Sequence, residues 1–115
     1  PVRLAGDFVR MSGMETVTRT RIEILADAPL VPRVVAALHQ AEVHGHTVLP
    51  ALSGSGRTGS WSEERVTAAE SKRLVVAIAS LEHAAAFVDA VGPLLESHGM
   101  LLTLSDVQVV RGDRF

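Results

Sequence analysis

The sequence predicts an α+β sandwich of the ferredoxin-like kind, βαββαβ, with a four-stranded antiparallel sheet carrying two helices on one face. Three observations lead there. A strand-type alternation is followed by a helix-type period and a second short strand. The same β-α-β order then repeats in the second half of the chain. Finally, 115 residues with 47% apolar content are enough for one core but not for two. Two β-α-β halves in one small domain interleave as the split βαβ sandwich.

The elements follow in order. Residues 1–13 show no sustained period and Met14 reads as a natural start; 1–17 are set apart as a disordered arm or a cloning remnant, and the domain is placed at 18–115. Arg19 to Ala26 alternates, with Thr20, Ile22, Ile24 and Ala26 on one face, which predicts a half-buried strand. Asp27-Ala28-Pro29 breaks it. Val31, Val34, Val35, Leu38 and Ala41 then fall at helical spacing, and Gly45 is a natural stop. Thr47 to Leu52 reads as a strand, and Pro50 puts it at an edge or a bulge because proline has no N–H to give a ladder.

Ser53 to Ser71 is a composition break, rich in Gly and Ser and then in charge, and longer than compact domains usually carry without a reason. Lys72 to Ala79 is a continuous apolar run that predicts a strand buried on both faces. Ser80 is a good N-cap for a helix whose apolar stripe is Leu81, Ala84, Phe87, Val88, Val91, Leu94 and Leu95. Gly92-Pro93 is expected to kink or interrupt it, and Gly99 to end it. Met100 to Val110 is the last strand, with an irregularity expected at Ser105-Asp106.

Composition excludes several classes. There is no cysteine, so disulfides, thiolate metal sites and cysteine nucleophiles are out. Eleven basic against thirteen acidic residues argue against bulk-charge binding of nucleic acid. No apolar run approaches the roughly 20 residues of a membrane helix, and no signal peptide is visible. A cytoplasmic protein is expected.

Candidate chemistry is sparse. Gly54-Ser55-Gly56-Arg57-Thr58-Gly59 lets a backbone approach an anion closely, with Arg57 as a forked donor, but it lacks the lysine and spacing of a Walker loop. A flexible linker is the alternative reading. His39, His44 and His46 invite a metal site, although nothing else is spaced as a fourth ligand. No nucleophile, base and orienting group stand in a recognisable pattern, so a non-enzymatic protein is expected. Trp61, the one tryptophan, reads equally as a staple for its loop or as a partner anchor.

From Arg21 onward the chain resembles the PII signalling proteins and their PII-like relatives. The stretch that carries this is Gly45-His46-Thr47-Val48 followed by Gly54-Ser55-Gly56-Arg57, which looks like the family's Gly-x-Thr-Val…Gly-x-Gly-Arg at the family's spacing. The resemblance implies a homotrimer, adenine nucleotide bound between subunits, and a mobile T-loop, here about 54–71, that docks on a target protein. Carried over by position, it assigns Gly45, His46 and Thr47 to the adenine and ribose side. Gly54, Ser55, Gly56, Arg57 and Thr58 fall at the phosphate-wrapping T-loop base, and Gly99 in the B-loop. Arg111 and Arg114 are the C-terminal cations, of which Arg111 is preferred.

Departures from the family refine this. Met100 stands at the B-loop lysine, which favours AMP or ADP over ATP, since a charge-assisted bond is worth roughly 1.5–3 kcal/mol. Thr58 replaces the glutamine that helps nitrogen sensors hold 2-oxoglutarate and magnesium. The chain has no tyrosine, so uridylylation of a T-loop tyrosine is excluded. This pattern is similar to PII-like branches tied to inorganic carbon, which implies bicarbonate as a second ligand and a target such as a bicarbonate transporter or a carboxysome-related protein. The alternatives are a trimeric ferredoxin-like metal-tolerance protein using the histidines, and a small enzyme or amino-acid-binding regulatory domain on the same fold.

Overall fold

The computed structural model describes residues 8–11, 13–56, 59–62 and 71–110. Strands β1 (Phe8–Met11) and β2 (Met14–Asp27) lead, through a 3₁₀ turn at Ala28–Leu30, into helix α1 (Val31–Gln40). Strands β3 (Thr47–Ala51), β4 (Ser53–Gly56), β5 (Gly59–Ser62) and β6 (Lys72–Ala79) follow. Helix α2 (Leu81–Ser97) and strand β7 (Leu101–Val110) complete the chain.

The main sheet is antiparallel, with β7, β2, β6 and β3 side by side, as the βαββαβ order requires. The expected alternation of β2 holds. Ile22, Ile24 and Ala26 are almost fully buried, and Thr20 is 4% exposed. Both helices lie over this face: Val34, Leu38, Phe87 and Val91 join Ile22, Ile24 and Val75 in one core. Pro50 sits on β3, which pairs only with β6 among the described strands, so the edge position expected for it holds. The α2 N-cap is as expected, Ser80 Oγ accepting from the His83 N–H at 3.2 Å.

Four expectations are corrected. The arm does not extend through residue 17. Met14–Val17 begin β2 and pair with β1, so the folded unit reaches back to Phe8. Thr16 is fully buried, and its hydroxyl donates to Gln108 Oε1 at 2.9 Å. Backbone pairing along a ten-residue β7 supplied order that side-chain periodicity did not announce. Secondly, β7 pairs with β2 without a break through Ser105 and Asp106, so the expected irregularity is absent. Thirdly, α2 runs through Gly92-Pro93 uninterrupted. Pro93 lies on the exposed side of the helix, where the carbonyl it leaves unpaired can turn to water. Fourthly, β6 is buried on one face only: Val75, Ala77 and Ala79 are covered, whereas Leu74, Val76 and Ile78 are half-buried.

The register fixes what lies on the helix-free face. Leu49, Leu74, Leu25 and Leu101 are direct cross-strand partners in one row across β3, β6, β2 and β7. Leu49 is 44% and Leu101 61% exposed.

Candidate functional site

The glycine-rich segment is half strand. Gly54 pairs with Trp61 and Gly56 with Gly59 in the β4–β5 hairpin. Gly59 sits at φ +114°, a conformation that L side chains rarely adopt, which is why glycine closes this turn. Backbone hydrogen bonds hold the hairpin, and such bonds make no demand on side-chain type. That is why a Gly/Ser run, poor in strand propensity, still forms one.

The hairpin's first strand roofs a cavity of about 910 Å³. Ser53, Gly54, Ser55 and Gly56 form one wall, and Gly99, Met100 and Leu101 another. Leu25, Ala51 and Lys72 line it from the sheet. Asp27, Lys72 and Ala51 are cross-strand partners at the same end of the helix-free face. Lys72 was not among the residues expected at the site, yet it is the one charged side chain among the described residues that line this cavity. The signal was available, because it is the only lysine in the chain and opens β6 directly after the loop. Its ammonium donates to Asp27 Oδ1 at 2.6 Å.

The cavity therefore gathers four expected residues: Gly54, Ser55, Gly56 and Gly99. It does not gather Gly45, His46 and Thr47. Those lie at the far end of β3, which spans about 17 Å over its five residues. Gly45 instead borders a second cavity with Glu42, His44, Ile78 and His83. Arg57, Thr58, Arg111 and Arg114 lie outside the described residues, as do 63–70 of the expected T-loop.

The histidine corner is built at the α1 C-terminus. Val43 N–H donates to the Leu38 carbonyl at 2.8 Å, which closes the helix and puts Glu42 at φ +64°. The His39 ring lies 5.6 Å from that of His44 and 6.1 Å from that of His46, and His44 Nε2 meets Glu42 Oε2 at 3.1 Å. These are pairs rather than a ligand set: among the described residues, no three His, Cys, Asp or Glu side chains are placed to hold a metal ion. Among the same residues, no helix is long and apolar enough to cross a membrane.

This arrangement meets known proteins at the level of a family. The nitrogen regulatory protein P-II family matches residues 19–114. The chain belongs to that family. No curated protein matches it. Among solved structures, the PII-like protein CPII from Thiomonas intermedia K12, bound to ADP, AMP and bicarbonate, superposes with a TM-score of 0.81 at 21% identity. The match covers 89% of this chain and 97% of CPII. CPII bound to ADP and bicarbonate gives 0.78 at 22% identity, over 89% and 98% of the two chains. A protein of Thermus thermophilus described as PII-like and signalling gives 0.73 at 22% identity, over 87% and 97%. At such identities the likeness is one of fold, and it agrees with the P-II sheet order found here. In P-II terms, β1 and the first five residues of β2 precede the matched segment.

Proposed function

We propose that this protein is a non-enzymatic, cytoplasmic PII-like sensor. It binds AMP or ADP in preference to ATP, with bicarbonate as a second ligand, in clefts between the subunits of a homotrimer. The observation that carries this reading is the cavity under β4. Two glycines of a hairpin strand, one glycine before β7 and the only lysine converge on a single space large enough for a nucleotide. Backbone amides freed of side chains can approach a phosphate there, and Lys72 supplies the charge. Arg57, next in sequence to this wall, is the forked donor, with Arg111 or Arg114 added from the C-terminus. Gly99 and the residues after it close the far side.

The distribution of expected residues supports a site shared between copies. Gly45, His46 and Thr47 sit a strand's length from the cavity of their own chain, so they reach a nucleotide only in a neighbour's cavity. The exposed leucine row on the helix-free face supports a second copy in contact with that face. CPII, similar in fold, is known with ADP, AMP and bicarbonate bound, which supports the same ligand classes here. Ligand contacts made in only one loop state would order the segment about 54–71 and present it to a target protein. The branch resemblance makes a bicarbonate transporter or a carboxysome-related protein the partner to try first.

Calorimetry tests the reading. AMP and ADP bind saturably and ATP more weakly, and Arg57→Ala lowers ADP affinity by about tenfold or more. An absence of heat with all three nucleotides overturns it.

A further inference from the structure

Lys72 does not stand alone at the cavity wall. Asp27 Oδ1 accepts from its ammonium at 2.6 Å, the side chains being 40% and 24% exposed for Asp27 and Lys72. The two are direct cross-strand partners, so the backbone ladder itself sets the pairing. Asp27 is not among the residues that line the cavity. It pairs with the cation and offsets part of its charge. The cavity's remaining described lining is glycine, serine and apolar side chains. Over the described lining, the Lys72–Asp27 pair therefore contributes a charge close to zero, and any net positive charge at the site comes from the arginines of the nucleotide reading.

We propose that Asp27 is a specificity-determining residue that tunes this cavity to anions of low charge. An entering anion meets Lys72 with its charge partly offset, and it also feels the Asp27 carboxylate one hydrogen bond from the ammonium. That repulsion grows with every charge the ligand carries, whereas the gain from one ammonium does not grow as fast once the carboxylate is counted. A monophosphate or a bicarbonate tolerates the pair, and a triphosphate is penalised by it. The inference rests on the nucleotide reading for the identity of its organic ligands. The charge filter itself applies to any anion that enters.

The test is the single change Asp27→Asn, which keeps an oxygen to accept from Lys72 but removes the charge. Affinities for AMP, ADP and ATP are measured by calorimetry, in parallel with inorganic phosphate, pyrophosphate and tripolyphosphate. The expected result is a gain that climbs with ligand charge, roughly twofold for AMP and roughly tenfold for ATP. Glu23→Gln is the control. It removes one charge from the same face, from a residue paired with Arg21 at 2.6 Å and four register positions away, about 13 Å along β2. It leaves the ranking unchanged. The chain's single lysine gives a direct readout, since selective ¹⁵N-lysine labelling yields one side-chain ammonium signal. That signal moves on anion addition in the wild type and in Asp27→Asn.

The outcomes separate. Nucleotide binding with a gain that is flat across the charge series, or no larger than that of Glu23→Gln, overturns the filter and leaves the nucleotide reading standing. A climbing gain for the inorganic series with no nucleotide binding supports the filter and overturns the nucleotide reading. An unmoved lysine signal with every anion overturns the filter outright. If Asp27→Asn lowers the unfolding temperature enough to confuse the titration, Asp27→Ser is used with the same expectations.

Discussion

Two neighbouring rows of the sheet have almost the same composition and opposite surroundings. Val48, Val75, Ile24 and Leu102 cross the four strands facing the helices. Leu49, Leu74, Leu25 and Leu101 cross them one position away, facing the other side. At the centre of the first row Ile24 and Val75 are almost fully buried, whereas in the second Leu25 and Leu74 are only half-buried and Leu101 is 61% exposed. One chain has enough helix to cover one face. The second face carries the same apolar residues without the cover, and the proposed contact with a second copy is what would cover it.

This comparison can be broken or sharpened. Truncating the covered side has the largest effect: Phe87→Ala, at a fully buried centre of the core, lowers unfolding free energy by about 3–5 kcal/mol in urea titrations. A smaller loss would show the helix-side core to be loosely packed. On the open side, Leu74→Asp dissociates the assembly while the isolated chain keeps its circular-dichroism spectrum, as read by light scattering on a sizing column. An unchanged assembly would remove that face from the interface. Smaller still is Ser80→Ala, which loses the α2 cap and about 1 kcal/mol of stability, and does so equally in the assembly and in any monomeric variant. The smallest is Glu42→Gly. It relieves a left-handed backbone position and raises stability by about 0.5–1 kcal/mol, against the loss of an exposed pair with His44 worth less than that.

The same two rows explain how far the sequence could be read. The alternation of Thr20 to Ala26 named the core face of β2 residue by residue, because one side of that strand is covered within the chain. The run Lys72 to Ala79 reads as covered on both sides, which a single chain does not satisfy: Leu74, Val76 and Ile78 lie on the face that the helices leave open. The β4–β5 hairpin was illegible because Gly, Ser and Gly make ladder bonds without any side-chain signature. β1 was missed for a related reason, since its order comes from backbone pairing with Met14–Val17, a segment without side-chain alternation. At the site, Gly54, Ser55, Gly56 and Gly99 were legible as a motif. Lys72 was not, since it belongs to the strand rather than to the loop that carries the motif.

A structure of the protein crystallised with ADP tests the central claim most directly. The account predicts the phosphates against Gly54–Gly56 and Lys72 of one copy, with Gly45–Thr47 of a neighbouring copy on the same nucleotide. A nucleotide held wholly within one chain, or bound away from the β4 cavity, would contradict it.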